Sequence, residues 1–158
     1  MKVRAASADE IKSVVLHPEF LPLLSEDGFN GEFEPDMSEI WLLFTDLDDI
    51  VGLFNLSTVT NICMELHPMV FKKYRLQYAR ECVEWVFEFF CGLDKHKIIV
   101  QVPEDRPDLV NFAKSHGLIE EGINRDSLMK QGKIMNIIQL GITKHEIASR
   151  RPIMAAGG

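Results

Sequence analysis

Between Asn61 and Cys91 the sequence changes its period, and that change constrains the fold more than any other feature. Ile62, Met64 and Leu66 alternate with Cys63, Glu65 and His67, the two-residue period of a half-buried strand. Pro68 cannot donate to a sheet ladder and is expected to end that strand. Farther on, Ala79, Cys82, Val83, Val86 and Phe90 recur at helical spacing, which predicts a helix from Tyr74 to Cys91 with Gly92 at its C-cap. Between the two lies a basic loop, Met69-Val-Phe-Lys-Lys-Tyr74. Strand, loop and helix in this order bring free backbone N–H groups to the positive end of a helix, the usual physics of an anion cradle.

The flanking segments supply the rest of a sheet. Val3 to Ala6 reads as an opening strand. Ser7 and Glu10 form the spacing of a capping box, and the helix they begin turns Ile11, Val14 and Val15 inward. A second short helix is expected over Glu19 to Leu24. Ser25 to Ser38 is an acidic, turn-rich surface loop. Ile40 to Thr45 and Ile50 to Leu56 read as a hairpin about Asp46-Leu-Asp-Asp49, and Gly52 marks a bulge or a close backbone approach. With Ile62 to His67 they make a three-strand antiparallel meander. Ile98 to Val102 is nearly all apolar, as a central strand should be. A helix follows, with Asp105 as its expected N-cap, Pro107 near its first turn, and Leu109, Phe112 and Ala113 facing inward. His116-Gly117 ends it. Leu118 to Ile123 and Ile134 to Ile142 are predicted strands about a polar turn over 126–133. The sequence thus predicts an α+β domain over residues 1–145, layered α/β/α, with a flexible tail over 146–158.

Charge and cysteine content narrow the setting. The net charge is −7, and it is unevenly placed. From Ser13 to Phe71 there is no Lys or Arg, against eleven acids, while fourteen of the seventeen basic residues lie from Lys72 onward. An acidic front half argues against nucleic acid there and suits a basic partner or an amine; a merely solubilising face is the plainer reading. Three cysteines without a CxxC favour reduced thiols and a cytoplasmic location. No membrane span or signal peptide is read, and the scattered histidines predict no metal site.

Two stretches of the chain carry a resemblance. One is Leu66-His67-Pro68 leading through the basic loop into the long helix. The other is Val102-Pro-Glu-Asp-Arg-Pro-Asp-Leu-Val-Asn-Phe-Ala-Lys-Ser-His-Gly-Leu-Ile-Glu-Glu-Gly122. Together with the element order, they resemble the GNAT superfamily of N-acetyltransferases from Val3 to about Thr143. The fold so implied is a mixed, mostly antiparallel central sheet of about seven strands flanked by about four helices.

The resemblance implies a site and also departs from it. An acyl-CoA loop of the family reads Arg/Gln-x-x-Gly-x-Gly/Ala, its glycines letting backbone amides reach the pyrophosphate. Here Phe71 to Arg80 holds no glycine. Leu66, Lys72, Lys73, Tyr74, Arg75, Gln77, Ala79 and Arg80 are the candidate cofactor-binding residues. A solvated basic loop is the alternative, since positive charge at a helix N-terminus is unfavourable. Glu65 and His67, two apart on one strand face, are the candidate catalytic residues, as bases for an incoming amine. An exposed Glu and a His at the strand end are their plainer readings. The family's Tyr acid would stand at Ala113, whose methyl cannot donate a proton. Tyr78, Trp85 and Phe89 form a second apolar stripe on the long helix. More loosely, the chain resembles small phage-encoded GNAT-like proteins of head assembly and the virion interior. Two functions therefore stand at this stage. The first is a non-catalytic phage head-assembly protein in the host cytoplasm or the virion, without cofactor, its acidic half meeting other virion proteins and no membrane or nucleic acid. The second is an acetyl-CoA-dependent N-acetyltransferase acting on a basic amine. A cleft between Ile62–His67 and Ile98–Val102 separates them: open favours the enzyme, filled by Tyr74, Leu76 or Tyr78 favours the assembly protein.

Overall fold

The computed structural model describes the backbone of residues 1–157 and the side chains of residues 1–150. One seven-stranded sheet has the order β1-β2-β3-β4-β5-β7-β6. Its strands are β1 (Lys2–Ala5), β2 (Ile40–Asp46), β3 (Asp49–Thr58), β4 (Cys63–Val70), β5 (Lys97–Pro103), β6 (Ile119–Lys130) and β7 (Lys133–Thr143). Every neighbouring pair is antiparallel except β4 with β5. The five helices are α1 (Ala8–Val15), α2 (Leu21–Leu24), α3 (Lys72–Cys91), α4 (Pro107–Ser115) and α5 (Lys144–Gly157).

Strand alternation divides the core in two. Trp41, Leu43, Leu53 and Met69 face Ile11, Val14 and Val15 of α1 and Phe20 just before α2. Leu42, Phe44, Phe54, Leu56, Met64 and Leu66 face Cys82, Val83, Val86, Phe87 and Phe90 of α3. Val110 of α4 and Ile147 of α5 join this second cluster. The capping box forms as the spacing predicts: Glu10 N–H donates to Ser7 Oγ, and Ser7 N–H to Glu10 Oε2. Arg4 donates to the same carboxylate. That pair and the Ser7 amide hold the Glu10 carboxyl down at about 2. The second stripe of α3 is partly covered. Trp85 stacks on Phe89 at 5.5 Å between ring centres and meets the Phe44 ring edge at 5.7 Å.

Four expectations differ from the structure. Pro68 lies inside β4, opposite Phe54, because β4 has lost its β5 neighbour there and the missing N–H breaks no ladder. The polar segment 126–133 mostly extends β6, with an irregularity at Asp126, and the chain reverses at Gln131 and Gly132; all three have positive φ. Asp105 does not cap α4; Arg106 holds the N-cap position without a side-chain bond, and Pro107 opens the helix. The tail expected from residue 146 is a helix where it is described, with Ile147 buried against the sheet; Gly158 lies outside the described residues.

Gly52 is a close approach. A Cβ there would stand 2.5 Å from Met69 O and 3.2 Å from Val70 Cα, both backbone atoms of β4. Gly52→Ala is therefore expected to force β3 and β4 apart and to lower the urea unfolding free energy by about 2 kcal/mol. An unchanged midpoint would show that the strands yield without cost.

Candidate active site

β4 and β5 pair only at Cys63 with Lys97, Met64 with Ile98 and Glu65 with Ile99. Beyond these, β4 follows β3 as far as Val70 opposite Gly52, and β5 follows β7 as far as Pro103 opposite Ile137. Each strand is held by its outer neighbour, so the two diverge. The backbone groups of β4 that face β5 are thereby released from the ladder. A cavity of about 480 Å³ fills the gap, within the usual size of a small-molecule site. It runs through the sheet. Val83 and Phe87 of α3 and Phe112 and Ala113 of α4 wall one side, and Phe20, Leu23 and Leu24 wall the other.

The cavity explains the face of α4. Leu109 and Phe112 point inward as their spacing predicts, but toward the cavity, and remain 39% and 37% exposed. Val110 is the α4 residue that enters the core.

The start of α3 forms one mouth of the cavity. Phe71 at its N-cap offers no side-chain bond, and its first turn holds no acid. A carboxylate from another element takes that role. Lys72 N–H donates to Glu19 Oε2 at 2.7 Å, and Arg75 Nη2 lies 3.9 Å from the same oxygen. Arg75 Nε also donates to Val70 O at 2.9 Å. One internal anion therefore sits on the positive helix end.

The predicted cofactor-binding residues separate. Leu66, Arg75 and Ala79 line the cavity; Lys72 does not, its backbone N–H being held by Glu19. Tyr74 and Lys73 turn away to Asp49 at the β2–β3 turn. Tyr74 Oη donates to the Asp49 carboxylate, and Lys73 Nζ lies 3.7 Å from it and 4.7 Å from the Tyr74 ring centre. The Tyr74 bond, then Lys73, hold Asp49 below the usual carboxylate range. Tyr78 likewise donates to Asp46 at 2.5 Å. Gln77 and Arg80 are exposed, and neither lines the cavity. Leu76 is fully exposed at the mouth. None of the large residues suspected of filling the cleft does so.

Glu65 and His67 come together on the α1 side of the sheet, Oε2 to Nε2 at 3.7 Å. His67 lines the cavity and is paired in register with Asn55, whose Nδ2 donates to Glu39 Oε2 at 3.0 Å. Gln101 of β5 lines both this cavity and an open polar depression of about 920 Å³ formed with Asn124, Arg125, Asp126, Ser127 and Asn136. The site thus has an apolar side toward α3 and α4 and a polar side reaching across the sheet. Among the described residues no group of three or more His, Cys, Asp or Glu could hold a metal ion, and no helix is long and apolar enough to cross a membrane.

Sequence reasoning passed over two contributors. Glu19, expected to open the second short helix, stands in the turn before it, and no local pattern pairs it with a helix more than fifty residues on. His116 was read only as a helix end. It is 1% exposed, lines the cavity, and shares a 2.9 Å hydrogen bond between Nδ1 and Glu84 Oε1. Its place three residues after Ala113, on the same helix face, was the available signal.

The fold is that of the GNAT superfamily of N-acetyltransferases. Among solved structures, a point mutant of the spermidine N-acetyltransferase SpeG from Vibrio cholerae matches with TM-score 0.80, at 17% identity over 96% of this chain and 99% of that one. The same enzyme in complex with CoA and spermine matches with TM-score 0.78, at 15% identity over 93% of this chain and 97% of that one. At such identities the likeness shows the fold. No family model and no curated protein matches the sequence. The reading as a non-catalytic phage head-assembly protein is overturned. Its structural neighbours are spermidine/spermine N-acetyltransferases, and the cleft whose filling by Tyr74, Leu76 or Tyr78 would have favoured it is open.

Because Leu109 faces the cavity and Leu140 the core, Leu109→Ala should cost about 1 kcal/mol or less and Leu140→Ala about 2–5 kcal/mol in urea unfolding. Equal losses would mean that the cavity is closed in solution.

Proposed function

We propose that the chain is an acetyl-CoA-dependent N-acetyltransferase acting on a basic amine. One observation carries the reading: the cavity through the splayed sheet, apolar toward α3 and α4, opens beside Glu65 and His67. An apolar channel suits the thioester arm of acetyl-CoA, whose activated acetyl group supplies the chemistry. Released backbone groups along β4 give that arm partners, and Arg75 at the mouth, with Lys72 on the same helix start, offers positive charge for its phosphates. At that phosphate end Glu19 competes, since its carboxylate already holds the helix amide. Two observations support an amine acceptor. The neighbours named above act on spermidine, and one holds spermine. The polar side of the site carries Glu39 and Glu65 within a front half devoid of cations over residues 13–71.

In this mechanism His67 takes the proton of the amine while the nitrogen attacks the thioester carbonyl. A C–N bond forms and the C–S bond breaks. The departing thiolate takes its proton from water, since Ala113 offers none. The Glu65 carboxylate, 3.7 Å from His67, faces the positive charge of the incoming amine.

Calorimetric titration with acetyl-CoA, followed by a free-thiol assay over a panel of amines and polyamines, tests the proposal. Absence of acetyl-CoA binding would end it. His67→Gln should lower kcat roughly a hundredfold with acetyl-CoA binding retained. Glu19→Gln, by withdrawing the competing charge, should tighten acetyl-CoA binding about two- to fivefold. Weaker binding in that variant would mean that Glu19 supports the site instead of competing with its ligand.

A further inference from the structure

His116 has a polar atom that nothing in the fold accounts for. The side chain is 1% exposed, and Nε2 has no hydrogen-bond partner among the described residues. Buried polar atoms in this condition are rare, because each costs free energy that a partner would recover. The rest of the ring is fully committed. Nδ1 is 2.9 Å from Glu84 Oε1, an oxygen that also accepts from Arg150 Nη2 at 2.8 Å. The Phe112 ring meets the imidazole edge-on at 4.7 Å and Phe87 at 6.3 Å, so the ring plane is fixed. A carboxylate can only accept, so the proton sits on Nδ1 and Nε2 of the neutral ring is an acceptor. Burial pushes the His116 pKa down and keeps the ring neutral, against the pull of Glu84 and with the help of Arg80 and Arg150.

His116 is part of the cavity wall, and the small Ala113 one turn earlier belongs to the same wall. The neighbouring wall is Val83, Phe87, Phe112 and Leu118, which offers no side-chain hydrogen bond. A secondary amide pressed into such a surface would lose its N–H to desolvation. We propose that His116 Nε2 is the polar anchor of the cavity, accepting a hydrogen bond from an amide N–H in the pantetheine arm of the bound acyl-CoA. The assignment rests on the acyl-CoA reading of the cavity and adds to it a positioning residue, oriented by Glu84. It touches the arm and not the reacting carbon, so it acts on binding and leaves the chemical step alone.

Two substitutions separate the atoms of the ring. His116→Asn keeps a nitrogen where Nδ1 meets Glu84 but has nothing where Nε2 stands. His116→Gln reaches the Nε2 position with an oxygen acceptor but forgoes the bond to Glu84. Calorimetry with CoA on the full chain, with melting temperatures alongside, reads the outcome. His116→Asn should weaken CoA binding about five- to tenfold, and His116→Gln should stay within about twofold of the parent. Melting temperature should run the other way, Asn above Gln, since the tie to Glu84 is what Gln lacks. In turnover, the Asn variant should raise KM for acetyl-CoA and leave kcat unchanged. Full affinity in His116→Asn, or losses that follow melting temperature in both variants, would overturn the anchor and leave His116 a packing residue. A parent chain that does not bind CoA would overturn the acyl-CoA reading itself, and the anchor with it.

Discussion

The parting of β4 from β5 after Glu65 and Ile99 is the constraint on which the rest of the molecule depends. Parallel neighbours in a sheet normally stay paired, because an unpaired backbone group buried from water is costly. Here each strand is bound more firmly on its other side. β4 keeps seven register pairs with β3, and β5 keeps seven with β7. The twist of the two half-sheets then carries the strands away from each other. Released main-chain groups, a channel through the sheet, and the delivery of α3 and α4 to its walls all follow from that separation. Even Pro68 becomes intelligible: it stands where a strand has ceased to have a partner on one side.

Electrostatics complete the site from a distance. α3 begins without a capping side chain and with Lys72, Lys73 and Arg75 crowding its positive end. Left so, the helix start would repel its own residues. Glu19, from the loop before α2, relieves this with a single carboxylate shared by the Lys72 amide and the Arg75 guanidinium. Phe20, next in sequence, packs edge-on to Phe71 at 4.8 Å and lines the cavity. The acidic front half thus meets the basic helix start through Glu19 and Phe20 beside the mouth of the site, as it does through Asp46 and Asp49 farther from it.

Much of the architecture was legible in the sequence, and the places where it was not share a cause. Alternation in Ile62–His67 and helical recurrence in Ala79–Phe90 are local patterns, and both elements formed, the strand running past Pro68 to Val70 and the helix beginning at Lys72. The capping box of Ser7 and Glu10 is equally local. Failures came where meaning is non-local. Tyr74, Leu76 and Tyr78 look obstructive in a linear loop, yet a helix that begins at Lys72 turns both tyrosines toward the β2–β3 turn and Leu76 toward solvent. Leu109 and Phe112 were rightly placed facing inward, but a sequence cannot distinguish a core from a cavity. Glu19 and His116 gain their significance only from partners 53 and 32 residues away. The glycine-free loop departs from the family's pattern residue by residue, whereas the space beside it is made by strand divergence, which no loop motif records.

Only three register pairs stitch the strands of one half of the sheet to those of the other. Beyond them, β1 to β4 and β5 to β7 are joined by the helices that lie across them and by a few loop contacts, such as Asp27 with the amides of Gln131 and Gly132. On the acyl-CoA reading proposed above, the molecule is built like a hinged clasp with its ligand as the pin. Anything that bridges both strands adds to the cohesion of the whole domain by mass action, in proportion to the logarithm of its concentration. Resistance to heat in this protein should consequently be a property of its surroundings as much as of its sequence, high where its ligand abounds and low where it is scarce.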